Sequence, residues 1–395
     1  MKFNWRDIIS NYTKTVGKRS EVDEIVILPL FIQRILGQQI LDPRWTWKKY
    51  CIHQIIHFCI FVYVFIGTFQ IIQTTKDTEL VAEASYTLII TTHFTLKITL
   101  YILNKNVFRL LYVSAKTIIM DTIKMDSDKK LKYVLKLGSR AVKTFLFVIM
   151  LIPVSTYQLT TLWNYINGQR TMLSRSTAPI MPMTSPYYEI SWFLHSIFLI
   201  EVSSTLILDM WFVLLTFFLC KANESLTKIL KVTKKENESQ VSYSIRLSKA
   251  LRRFHEIHVK LNGYLIGLRK MYKWLALVPL SNAIMCTCLI LLIMSKEINW
   301  RFAPHMIPMI AEIFTYNWFG EQLRTKVTEI NNAILNFDWT DLNIKDKKSY
   351  YIILICTQNE CGIKTAVGNE LSLITMTTVA KVIYQVFAVL RTVDG

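Results

Sequence analysis

An all-α membrane protein with seven transmembrane helices is predicted for this chain on three observations. Of its 395 residues, 52% are hydrophobic and 19% are charged, and the mean hydropathy is +0.31. A soluble domain of this length carries more charge and less apolar surface. The apolar residues gather in stretches near the roughly 20 residues that cross a bilayer as a helix. Between them, segments rich in Lys and Arg alternate with segments poor in them, as loops on opposite sides of a membrane do.

Residues 1–49 are read as a basic cytoplasmic segment, with Lys2, Arg6, Lys14, Lys18, Arg19, Arg34, Arg44, Lys48 and Lys49. Residues 1–19 have neither the apolar core nor the cleavage site of a signal peptide, so no leader is expected. The apolar patch at 25–35, interrupted by Pro29, is too short to span and is expected as a membrane-surface or short re-entrant helix. Residues 50–220 hold four spans, at about 50–72, 80–103, 141–162 and 190–220, and 104–139 between the second and third reads as a polar, basic loop. Cytoplasmic helical extensions follow over 221–270. There Leu247, Leu251, Phe254, His258, Leu261, Leu265 and Leu268 recur with a period of about 3.5, a seam that wants a partner helix. The fourth and fifth helices are therefore expected to run past the membrane and pack together. Spans five and six lie within 271–320, at about 272–294 and 302–319. A cytoplasmic anchor segment occupies 321–369, and 370–395 holds the last span, about 371–390, with a short extracellular end.

The N-terminal segment, the second and fourth loops and the segment after the sixth span hold most of the cations. The other loops hold Lys76, Arg170, Arg175, Lys296 and Arg301. The positive-inside rule then puts the N-terminus in the cytoplasm and the C-terminus outside, opposite to a G-protein-coupled receptor. Trp163, Trp192 and Trp300 fall at the outer boundary and Trp45, Trp47, Trp274 and Trp318 at the inner one, as an aromatic belt requires. Sequons at Asn11, Asn223 and Asn237 fall on the cytoplasmic side, where they stay unmodified.

The net charge of +18 is scattered between apolar stretches instead of forming one face, so nucleic acid is not expected as a partner. The seven cysteines, at 51, 59, 220, 286, 288, 356 and 361, make no zinc or disulfide framework. His255 and His258 lack the spacing of a zinc protease helix, and no cofactor is expected. Charges inside spans are costly and count as site candidates: Lys97, Glu201, Asp209, Glu312 and Lys381. They are either paired with each other or functional. Glu201, His195 and Glu312 are too dispersed for the catalytic constellation of a membrane enzyme or transporter.

Around the outer halves of the spans a different set converges. It comprises Tyr86, Ile90 and His93 in the second, Val154, Tyr157 and Gln158 in the third, His195, Phe198 and Leu199 in the fourth, and Met309, Ile313 and Phe314 in the sixth. Aromatic and Met side chains with a few hydrogen-bonding groups suit a small apolar ligand. Ordinary helix packing would use the same residues. Pro304 and Pro308 favour an opened helix at that depth.

The closing stretch is the most specific. Tyr316, Gly320, Leu323, Val327, Ala333, Ile334 and Trp339, then Leu342, Lys345, Asp346, Lys348 and Ser349, then Leu371, Ser372, Leu373, Lys381, Tyr384, Phe387, Leu390 and Arg391 resemble the C-terminal signature of insect odorant receptors. Leu335, where an aromatic is usual, and Cys356–Asn359 depart from it. Length, loop sizes and inverted topology resemble that family over the whole chain. A fourth loop about fifty residues long resembles an odorant-tuned subunit more than the longer olfactory co-receptor. The resemblance implies a ligand-gated, non-selective cation channel in the plasma membrane of olfactory neuron dendrites. Tuned subunits and the co-receptor would form a tetramer around a pore lined by the last helix, opened by a small volatile organic ligand. Val386, Val389 and Val393 form one stripe of that helix with Val382, and the resemblance puts Val389 at the constriction, where apolar rings close a pore by dewetting. Lys381 and Gln385 form the adjacent stripe, and the valines could equally face lipid or a neighbouring subunit. A gustatory receptor-type channel and, further off, a G-protein-coupled receptor stay open as alternatives.

Overall fold

The computed structural model describes residues 21–38, 41, 46–125, 130–170, 172, 180–296, 303–358 and 362–394. Trp45, Arg175, Trp300, Arg301, Cys361 and the sequon at Asn11 lie outside the described residues, as do the side chains of Trp47, Pro304, Pro308 and Val393. Among the described residues the fold is helical throughout, apart from one isolated bridge between Lys364 and Glu370.

The expected spans fall on helices α2 (Trp47–Thr74), α3 (Thr78–Leu103), α5 (Lys130–Ile166), α6 (Tyr187–Leu230), α8 (Leu277–Lys296), α9 (Ala303–Leu335) and α11 (Leu373–Asp394). By length and composition, four stretches among the described residues can cross a membrane: Cys51–Thr74, Thr78–Leu103, Tyr187–Leu230 and Gln240–Met294. Leu373–Val389 is a shorter apolar helix. The lipid-facing reading of α2 shows in its exposed face, where Phe61, Phe65 and Phe69 stack one turn apart and Ile55, Phe58 and Ile72 stand open. In water such a patch would drive aggregation. In hydrocarbon it is the appropriate surface.

Among the described residues four helices, α5, α6, α7 (Gln240–Leu275) and α9, are far longer than a bilayer requires. The 44 residues of α6 extend about 66 Å at 1.5 Å per residue, roughly twice the hydrocarbon thickness. The 36 residues of α7 lie almost wholly before the fifth span and join α8 through a single break at Ala276. Pro279 explains that break, because it has no N–H to give the Leu275 carbonyl. As the seam predicts, α7 packs along the lower half of α6: Leu247, Leu251, Phe254, Leu261 and Leu268 are buried, and the Tyr264 hydroxyl donates to the Leu215 carbonyl at 3.0 Å.

The basic stretch after Asn104 departs from its reading as a loop. It forms α4 (Lys105–Met125), whose Phe108, Leu111, Tyr112, Ala115 and Ile119 occupy one buried face against α6 and α7. Abundant Lys masked a three- and four-residue apolar period. The patch at 25–35 forms α1 (Glu21–Ile35), and it too enters the bundle, with Ile25, Val26 and Leu30 buried beside α5 and α6. Asp23 accepts from Lys116 Nζ at 2.8 Å and Tyr112 Oη at 3.1 Å, and Trp211 Nε1 donates to Gln33 at 3.1 Å. These polar ties fix a short helix that apolar burial alone would leave free to slide.

Below the spans the same core continues through Leu226, Leu230, Leu323, Ile330, Ile334, Phe337 and Ile353. α10 (Ile344–Thr357) closes it: Tyr350 stacks on Trp339 and donates to the Ile334 carbonyl at 3.1 Å. Tyr243 Oη reaches Asp338 at 2.7 Å, and Arg246 pairs with Glu238 across the turn that opens α7. Hydrogen bonds from Arg246 hold the Glu238 carboxyl below the usual carboxylate range, so the pair stays ionised at neutral pH.

Candidate functional site

The candidate ligand residues divide into two groups. In the first, Tyr157 and Gln158 of α5 face α6. Gln158 donates to Ser196 Oγ at 2.5 Å and accepts from Trp192 Nε1 at 2.8 Å, and Tyr157 Oη donates to Met172 Sδ at 3.7 Å. His195 is buried with Nδ1 3.0 Å from the Ser191 carbonyl, while Tyr63 of α2 lies 3.4 Å from Ser191 Oγ. Tyr165 stacks on Tyr188 at 5.9 Å. Val154 and Leu199 are half-buried on the same pair of helices.

The second group joins α3, α8 and α9. Tyr86 and Met309, both buried, and the half-buried Ile90 share a small apolar core with Cys286, Ile290 and Ile293 of α8. These α8 residues are absent from the ligand candidates read in the sequence, because the 286, 290, 293 spacing carries no signal in a helix that is apolar all round. Ile313 belongs instead to the main core, and Phe198 packs edge-on to Phe94 at 6.0 Å. Phe314 turns away from both groups; it is 43% exposed and stacked on Trp318.

Between the two groups lies a buried ionic cluster. Lys97 Nζ is 2.5 Å from Asp209 Oδ1 and 2.5 Å from Glu312 Oε1, so one ammonium ties α3 to α6 and α9. His93 Nε2 stands 3.6 Å from Glu312, and the Tyr316 hydroxyl donates to Asp209 at 2.7 Å. Of the two readings of the charges in the spans, pairing describes Lys97, Asp209 and Glu312. Glu201 lies 2.6 Å from His57 Nδ1, and Lys381 is exposed on α11. His57 was not among the candidates, since a His in an apolar span has no sequence signature.

α11 packs on α8 and α9 through Met376, Val379 and Ile383. On its other side Val389 is 61% exposed, Val386, Lys381 and Gln385 are exposed, and Val382 is half-buried. Among the described residues no group of three or more His, Cys, Asp or Glu is placed to hold a metal.

The closing signature acquires a structural meaning here. Gly320 lies under the Leu371 backbone, where an added Cβ would sit 2.3 Å from the Leu371 oxygen. Asn317 Oδ1 accepts from the Ser372 amide at 3.1 Å. Together they dock the segment before α11 onto α9.

Comparison with known proteins gives three results. The family described as 7tm Odorant receptor matches residues 77–384. Comparison with curated protein sequences finds no match. Among solved structures, the insect olfactory receptor OR5 from Machilis hrabei in complex with eugenol is similar with a TM-score of 0.72 at 12% identity, covering 94% of this chain and 98% of that one. The structure of the same receptor described without eugenol is similar with a TM-score of 0.67 at 13% identity, covering 92% and 97%.

Proposed function

The chain belongs to the 7tm odorant receptor family, and from that premise we propose that it is an odorant-tuned subunit of a ligand-gated, non-selective cation channel, assembled with an olfactory co-receptor. The observation that carries the channel reading is α11. A helix that packs on its own subunit along one side and leaves Val386, Val389, Lys381 and Gln385 open on the other is what a central pore between subunits needs. The exposed apolar face of α10, with Ile344, Tyr351, Ile352 and Ile355 away from the spans, supports a subunit contact there. The N-terminus is cytoplasmic in this reading and the C-terminus extracellular. Epitope tags at either end, probed on intact cells, test the orientation.

The ligand is a small, largely apolar volatile held in the outer half of the bundle by the Tyr157–His195 group, the Tyr86–Met309 group or both. It favours the open channel only as far as it binds that form better than the closed one. The test is odour-evoked current in cells expressing this chain with a co-receptor. Tyr157→Ala and Tyr86→Ala are each expected to lower sensitivity about tenfold or more, the equivalent of ~1.4 kcal/mol. Unchanged ranking across an odorant panel in both variants would remove this pocket. Val389→Lys is expected to alter conductance while leaving odorant ranking intact, and the converse result would remove α11 from the pore. Ile352→Asp with Ile355→Asp should abolish co-purification with the co-receptor if α10 is a contact between subunits.

A further inference from the structure

A cavity of ≈ 170 Å³ lies where the turn after α1 meets α2, α3 and α6, and it shares no lining residue with the proposed odorant groups. Gly37, at φ +70°, lets that turn close against the His53 ring, where an added Cβ would lie 2.7 Å from Cγ. Leu36, Ile56, Ile98, Ile197 and Ile200 form the cavity's apolar wall, and Gln38, His53, Gln54 and the His57–Glu201 pair its polar one.

The ring of His57 is 7% exposed, set edge-on to Phe94 at 4.4 Å, with Nδ1 2.6 Å from Glu201 Oε2. That contact has ion-pair distance without hydrogen-bond geometry, so it fixes neither tautomer of the ring. Nε2 donates in one tautomer and accepts in the other. It is buried and has no hydrogen-bond partner, which a folded protein rarely leaves unmet. Odorant binding in the outer half makes no use of it.

The geometry points to a binding site for a short-chain aliphatic alcohol, whose hydroxyl can donate to or accept from His57 Nε2 as the tautomer requires, with its chain lying against Ile98, Ile197 and Ile200. The volume holds about five to six water-sized groups, since each takes ≈ 30 Å³, so a chain of four to about six carbons fits. A hydrocarbon of the same size would leave Nε2 unsatisfied. A carboxylic acid, ionised at neutral pH, would meet the Glu201 carboxylate. Ile56 and Ile200, 40% and 43% exposed, form a lipid-facing rim, so the alcohol arrives from the bilayer, into which alkanols partition. The proposal does not depend on the odorant reading.

The test uses the full chain in cell membranes, co-expressed with the co-receptor, and a diazirine-bearing analogue of 1-hexanol as photoaffinity probe. Adducts are expected on peptides containing residues 53–57 and 197–201, displaced by excess 1-hexanol and not by hexane. His57→Phe keeps the ring and removes its polar nitrogens, and should lower labelling about tenfold, the worth of one buried hydrogen bond. Ile200→Trp closes the rim while sparing the His57–Glu201 pair, and should lower it as far. Should His57→Phe fail to reach the membrane, the Ile200→Trp variant and the hexanol–hexane comparison decide. Adducts confined to other peptides, equal displacement by hexane, or undiminished labelling of Ile200→Trp would overturn the assignment.

Discussion

Lys97→Met is expected to destabilise the fold by about 3–5 kcal/mol, the cost of leaving a buried charge without its partner. The ammonium is 1% exposed and answers two carboxylates on two other helices. Without it, Asp209 and Glu312 face each other across the α6–α9 contact with His93 and Tyr316 as the remaining polar neighbours. Surface expression and the melting temperature of detergent-solubilised receptor should both fall. The triple variant Lys97→Met, Asp209→Asn, Glu312→Gln removes the charge imbalance and should recover much of the loss, because a buried ionic cluster replaced as a whole is often near neutral. If the triple variant were no better than Lys97→Met, the loss would come from lost packing of the lysine stem instead of unpaired charge.

Gly320→Ala is the second large effect. Its Cβ would meet the oxygen, Cβ and carbonyl carbon of Leu371 at 2.3, 2.6 and 2.9 Å, and two of those atoms are backbone that cannot swing aside. Either α9 or the segment before α11 must shift, at the ~1–3 kcal/mol typical of overpacking or more. The shift would break the Asn317–Ser372 bond and move the start of α11. Current should therefore fall beyond what reduced expression explains. Gly263→Ala is the control: nothing lies within 4 Å of its added Cβ, and in the interior of α7 alanine should be neutral or stabilising by up to ~1 kcal/mol. A Gly320→Ala receptor with normal expression and current would show that the Leu371 contact is dispensable.

Both sites stand in the closing signature or beside it, and they show how far sequence reaches. The resemblance rested on Tyr316, Gly320, Leu323, Ile334 and Leu371. In the fold Tyr316, Leu323, Ile334 and Leu371 are all buried: Tyr316 stacks on Phe212 of α6, Ile334 sits in the core that α10 closes, and Leu371 lies directly over Gly320. Backbone approaches and buried hydroxyls tolerate few substitutes, which is why a signature can be read at such positions. Ligand contacts obey no such rule. Met309 and Tyr86 meet Cys286, Ile290 and Ile293 through interchangeable apolar packing, which leaves no pattern along the chain.

By itself the sequence determined the helical membrane class, the placement of each helix that carries an expected span, and the α7 seam, because hydropathy and a period near 3.5 are local properties of the chain. It also determined the family, through residues whose surroundings admit little change. Tertiary structure alone decided that α4 and α1 enter the bundle, that Phe314 faces away from both ligand groups, and that Lys97 joins Asp209 and Glu312. It alone placed His57 beside Glu201. Each of these depends on which faces of distant helices meet, and pairings across 107 to 215 positions leave no trace in local spacing.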